Sequence, residues 1–184
     1  VKHNGVVINN IPFHTNLYNA QHDLLLNKQP FLESQVAAIS DDVAYNNHDV
    51  EDAIRAGILS INQLKENEFF NTIIQDLKSE YSNIDDKLLM FQALRKSMSL
   101  MIEDIITQTS YNIKNFKIEN LKDLQDHNKF VVSFSSSMNA KSKDIKSFLF
   151  NNVYNHKNLL EKRHNVEKII SNFFKFFYNS PNKL

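Results

Sequence analysis

Positions 40–49 read Ser-Asp-Asp-Val-Ala-Tyr-Asn-Asn-His-Asp. On an α-helix, Asp41, Tyr45 and Asp49 stand at i, i+4 and i+8 and share one face, with His48 and Asp52 flanking it. The opposite face carries Ile39, Val43, Val50 and Ile54, which suit a core. A helix built this way can line a pocket with carboxylates, a phenol and an imidazole. At ~1.5 Å rise per residue, Asp41 and Asp49 are about 12 Å apart along the axis, too far to share one metal ion. One of them can ligate a cation while the other holds something a nucleotide's length away.

Two ordinary readings stand beside that one. Acidic helical faces are commonly solvated, and Glu51 or Asp52 with Arg55 is a routine surface pair. His48-Asp49 resembles a metal-binding dyad, but adjacent helical residues point about 100° apart, so the dipeptide is weak evidence by itself. Asp42 points elsewhere, where it can orient a neighbour or face solvent.

The elements that must position this face follow from composition and periodicity. The 184 residues include 2 Gly, 3 Pro and no Cys, with Lys+Arg and Asp+Glu equal at 21 each. So little turn punctuation argues against an antiparallel β architecture and for an all-α protein. The absence of Cys excludes a disulfide framework, a thiolate zinc site and a cysteine nucleophile, and suits a reducing, cytoplasmic setting. Charge balance argues against a nucleic-acid binder. No apolar run approaches the length of a membrane span, so no membrane partner is expected.

Apolar spacing predicts a short helix over residues 21–26 and a longer one from Leu32 to Ile54, with Gly57 bending or ending it. A third helix spans residues 63–81, with its cap within residues 60–62. The longest spans residues 84–109, capped by Ser82 or Asn83, with Asp85 and Asp86 in its first turn. Its expected buried face is Leu88, Phe91, Leu94, Met98, Met101, Ile102, Ile105 and Ile106. Residues 129–134 are the only stretch with strand character, and residues 135–137 read as a loop. Two more helices cover residues 142–154, capped by Ser142, and 158–178, stopped by Pro181. No repeat at a fixed period is evident. The Phe173–Phe177 cluster reads as core or subunit interface. Arg95, Tyr154 and His156 can reach a pocket, though packing roles are the plainer reading for each.

The run Leu32-Glu33-Ser34-Gln35-Val36-Ala37-Ala38-Ile39-Ser40-Asp41-Asp42-Val43-Ala44-Tyr45-Asn46-Asn47-His48-Asp49 resembles the last metal-ligand helix of the bacterial deoxyguanosinetriphosphate triphosphohydrolase-like proteins, of the HD-domain superfamily. Val1-Lys2-His3-Asn4-Gly5 resembles a segment that precedes that helix. Residues 146–154 (Lys-Ser-Phe-Leu-Phe-Asn-Asn-Val-Tyr) with His156 resemble a C-terminal pattern of the same family.

The resemblance implies an all-α, mainly helical HD-domain-like bundle with at most one short strand or hairpin. Residues 1–115 would be the C-terminal half of the HD-type domain and 116–184 its helical extension. It implies hydrolysis of a dNTP to a deoxynucleoside and tripolyphosphate, dependent on Mg²⁺ or Mn²⁺, with water attacking the α-phosphorus. Asp41 would be the last metal ligand, Tyr45 would pack beside the deoxyribose, Asp49 would contact the 3′-hydroxyl, and Lys2 would lie near the phosphates. The family's other ligands, a His and a His-Asp pair, belong to a more N-terminal region. None of His3, His14 or His22 has that context. The chain is therefore expected to be the C-terminal portion of such an enzyme and to show little or no activity alone. The alternative is a non-catalytic remnant that keeps the helices. A core missing some of its partners is expected to self-associate, so a homo-oligomer is anticipated.

Overall fold

The computed structural model describes residues 5–81 and 83–183. Among these residues there are eight α-helices and no strand, as the all-α reading expects. Helix α1 (Phe13–Gln21) is peripheral. Helices α2 (Leu32–Arg55), α4 (Glu68–Glu80), α5 (Asp86–Asn115) and α7 (Ser136–Leu149) enclose the core; α3 (Ile61–Leu64) and α6 (Leu121–Asp126) are short connectors. A π-turn (Phe150–Tyr154) leads into α8 (Lys157–Asn179), and a 3₁₀ turn (Pro181–Lys183) follows.

Several boundaries differ from the predicted ones, for identifiable reasons. The first helix spans Phe13–Gln21 and not residues 21–26. Side-chain acceptors divert the chain after it: Asn19 Oδ1 takes the Leu24 N–H and Asp23 Oδ1 the Leu25 N–H, both at 2.8 Å. Such local bonds compete with helix formation. The predicted helix over 63–81 is two. Ser60 forms a capping box with Gln63, then Asn67 Oδ1 accepts from Phe70 N and opens α4. The long helix is capped by Asp85, whose Oδ2 accepts from Leu88 N at 3.2 Å. The Ser82 alternative lies outside the described residues.

Helix α2 ends as Gly57 allows. Gly57 has φ +68, and the bonds Ile58 N to Ala53 O (2.9 Å) and Gly57 N to Ile54 O (3.0 Å) close a Schellman motif.

The core centres on Val50, Leu64, Phe70, Ile74, Leu89, Met101, Ile145 and Leu149, all fully enclosed. On α5 the buried stripe is Leu89, Ala93, Leu94, Ser97 and Met101. Leu88, Ile102 and Ile106 of the predicted face are exposed. Small residues at 93 and 97 let α5 pack closely against its neighbours, and the residues one step around the helix turn outward. On α2, Val43 and Val50 are buried as predicted, but Asn46 and Asn47 are buried with them. Asn47 Nδ2 donates to Val43 O at 2.8 Å, and its Oδ1 accepts from the Ser97 hydroxyl, tying α2 to α5.

Residues 129–134 form no strand. Extended backbone buried without a neighbouring strand needs other partners, and helices supply them. Gln35 Oε1 accepts from Val131 N (2.9 Å) and Val132 N (3.1 Å), while Asn112 Nδ2 donates to Val131 O (2.8 Å) and Ser133 Oγ (3.0 Å). The serine run after it is the start of α7 and not a loop. Ser135 caps that helix through Met138 N, and its own N–H and hydroxyl both donate to Asp104 of α5, at 2.8 and 2.7 Å. Ser142, predicted as the cap, is buried within α7. No described helix is long and apolar enough to cross a membrane.

Candidate functional site

Helix α2 presents its polar stripe alongside α7 and the π-turn. Near the start of the stripe an open cleft of about 760 Å³ lies between α2, the extended crossover of residues 129–134 that precedes α7, and α7 itself. Asp41 and Asp42 line it from α2; Lys143 and Lys146 face them from α7. Lys146 Nζ sits 3.0 Å from Asp42 Oδ2, an ion pair that is half open to solvent on both sides. Asp42 therefore points into the cleft and joins two helices. Asp41 is exposed and makes no hydrogen bond or ion pair among the described residues. It is a carboxylate available to a ligand from solution.

Further along α2, Asp49 is half-buried and accepts a hydrogen bond from the Tyr154 hydroxyl. Burial first, then the bond and the negative charge of Asp49, push the Tyr154 phenol above its ordinary pKa. Tyr154 thus stays protonated and donates to Asp49, leaving that carboxylate's other lone pairs for a hydroxyl. Tyr45, 60% exposed, sits beside this pair, near enough to contribute to the Tyr154 shift. The phenol of Tyr154 reaches Asp49 because the π-turn carries it there; its partner was not evident in the sequence.

His48 is turned away, its Nδ1 3.9 Å from Glu51 Oε2, while Glu51 pairs with Arg55 at 2.7 Å. That is the routine surface arrangement, and His48-Asp49 does not act as a dyad here. The site divides into a cleft end holding Asp41, Asp42 and the two lysines, and a second end holding Tyr45, Asp49 and Tyr154. Lys2, the remaining predicted site residue, lies outside the described residues. Lys143 and Lys146 were missed by the sequence reading, although Asn139, Ser142, Lys143 and Lys146 recur at helical spacing and could have flagged one lined face.

The described residues contain no group of three or more His, Asp or Glu side chains able to hold a metal ion. Asp41 alone does not fit Mg²⁺ or Mn²⁺ as a complete site, since these ions need a near-octahedral oxygen shell.

Comparison with known proteins agrees with the family resemblance. The chain is 34% identical over 188 residues to a deoxyguanosinetriphosphate triphosphohydrolase-like protein of Bartonella quintana, covering 99% of this chain and 47% of the relative. The protein of the same description from Rickettsia bellii is 35% identical over 184 residues, covering all of this chain and 48% of the relative. That from Brucella ovis is 31% identical over 189 residues, covering 98% and 47%. This chain is homologous to part of these triphosphohydrolase-like proteins. It spans about half the length of the curated relatives it matches. A family model for a phosphohydrolase-associated domain matches residues 132–184. That segment starts in the crossover and contains Lys143, Lys146 and Tyr154, while Asp41, Tyr45 and Asp49 precede it. The two sides of the site thus come from different stretches of chain.

Proposed function

We propose that this chain supplies part of the active site of a dNTP triphosphohydrolase, a longer enzyme acting on a dGTP-like substrate in the cytoplasm. The observation that carries the reading is the strip on α2. An unpaired carboxylate at Asp41 faces a cationic wall, and about 12 Å along the same helix a second carboxylate, Asp49, is oriented by Tyr154. A deoxynucleotide matches that layout, with its phosphates in the cleft beside Lys143 and Lys146 and its sugar against Asp49 and Tyr45.

The proposed products, a deoxynucleoside and tripolyphosphate, require that the bond between the α-phosphorus and the sugar 5′-oxygen break. Water oxygen ends on phosphorus and a proton on the 5′-oxygen. Within that reaction the lysines counter the triphosphate charge, Asp49 accepts from the 3′-hydroxyl, and the Tyr45 ring packs where a 2′-hydroxyl would stand. Asp41 contributes a single ligand to a divalent metal whose remaining ligands are not among the described residues. The 184-residue chain by itself is therefore expected to release no tripolyphosphate.

The test is a chimera in which this sequence replaces the matching part of the Bartonella quintana relative, with that relative as positive control. Tripolyphosphate release from dGTP with Mn²⁺ is expected from the chimera, with a loss of at least about 100-fold in Asp41→Ala. For Asp49→Ala the expectation is mainly weakened substrate binding. A folded but inactive chimera beside an active control would overturn the reading. So would release by the 184-residue chain alone that survives Asp41→Ala.

A further inference from the structure

Helix α8 is the one long helix among the described residues with no buried side chain. Ile170 is 63% exposed, Phe173 59% and Phe174 70%. Among the described residues the Phe173–Phe177 cluster is therefore not part of the core, which favours the interface reading. Phe173 stacks on Phe177 with ring centres 6.2 Å apart, and Phe174 on Tyr178 at 6.0 Å, so the aromatics form an ordered strip along one side of the helix.

The order of residues in α8 says what that strip fits. Arg163, Val166, Ile170, Phe173 and Phe177 follow one another at alternating steps of three and four, the seam of a coiled coil with Val166 at d; Leu159, one step earlier in the same register, packs on the core and anchors the start of the helix. In this frame Ile169, Phe174 and Phe176 flank the seam at g and e. Asn158, Asn165, Asn172 and Asn179 recur every seventh residue at the outward c position. Seven-residue spacing of apolar and polar residues together suits the pairing of helices, and the apolar residues at g and e widen the face that a partner helix would cover.

Charge indicates the orientation. Lys162 falls at g and Glu167 at e, five residues later, the two positions that meet across a parallel, in-register pair. An antiparallel pair would set Lys162 against the partner's aromatic end at Phe176. Arg163 is the single polar residue of the seam within α8, a device that fixes register at some cost in stability. Aromatic side chains bury ~150–250 Å² each. At the observed exposures the strip offers on the order of 600 Å² per copy, so two copies approach the ~1,200 Å² of a specific interface.

We propose that α8 is a self-association helix that pairs, parallel and in register, with α8 of a second copy of this chain. The pairing does not depend on the reading of the α2 site.

Analytical ultracentrifugation of the full chain tests this. A concentration-dependent mass of at least a dimer is expected. Ile170→Glu, at an exposed position, should raise the dissociation constant tenfold or more while leaving the cooperative unfolding of the core unchanged. Lys162→Glu should weaken association several-fold, and adding Glu167→Lys should restore it. Because the chain has no cysteine, Val166→Cys should give an interchain disulfide on oxidation and Lys168→Cys, on the outer face, should not. The proposal fails if the chain is monomeric at 100-fold dilution and at high concentration alike. Association indifferent to Ile170→Glu, or equal cross-linking at 166 and 168, refutes it too. A chain that stays monomeric but sediments with phosphatidylserine vesicles would make α8 a membrane-surface helix instead.

Discussion

Gln35 is a severe test of how the crossover before α7 is held. Its side chain is 2% exposed and makes three hydrogen bonds: Nε2 to Pro30 O at 2.9 Å, and Oε1 from Val131 N and Val132 N. Gln35→Leu keeps much of the volume but leaves two buried N–H groups and one buried carbonyl without partners. An unsatisfied buried group costs about 1–3 kcal/mol. Relaxation and entering water recover part of that, and the added apolar surface offsets some more. The expected loss is roughly 3 kcal/mol, well beyond an average substitution. Urea denaturation followed by far-UV circular dichroism measures it, and native-state hydrogen exchange localises it. The Val131 and Val132 amides should lose protection before the α4 and α5 amides do. Because Gln35, Phe130 and Val132 also line the cleft, the same variant should loosen one cleft wall. A loss under about 1 kcal/mol with both amides still protected would refute the reasoning, since each group would then have another partner.

Two further outcomes are expected. Because the Tyr154 phenol is raised in the folded state, it adds stability that is complete below the ordinary tyrosine pKa of about 10 and fades as pH rises above it. Tyr154→Phe should lack that share of the alkaline fall, and identical slopes for variant and parent from pH 9 to 11.5 would sink the assignment. At Gly57, φ is +68 and no atom lies within 4 Å of an added Cβ. Gly57→Ala should therefore cost about 1 kcal/mol from backbone strain alone, with Gly57→Asn recovering part of it; equal denaturation midpoints for Gly and Ala would contradict this.

What the sequence disclosed depended on the kind of signal. Long apolar stripes gave α2, α4, α5 and α8 directly, since hydrophobic burial repeats with the helical period. Local capping was harder. Ser60, Asn67, Asp85 and Ser135 all cap helices, yet only the choice among several Ser, Asn and Asp in each stretch decides the boundary, and that choice is made by tertiary partners such as Asp104. Buried polar residues were invisible for the same reason. Asn47, Gln35 and Asn112 look like surface residues until the segment each one satisfies is in place. For the site, spacing on α2 indicated one face, whereas Lys146 and Tyr154 are 104 and 105 positions from the carboxylates they meet. Contacts that distant leave no periodic trace.

The π-turn between α7 and α8 can be read as a helix carrying one surplus residue. Asn155 N bonds Phe150 O, five residues back, where an α-helix would reach back four. The π-turn takes up that residue within one widened turn, and His156 then goes to extended backbone and ends the ladder before α8. A residue inserted or deleted earlier in α7 would meet no such slack: the side chains after it would rotate about 100° around the axis, and Tyr154 would swing off Asp49. Tolerance to a change of length along this arm is therefore set by where the change falls, and not by how exposed the surface is there.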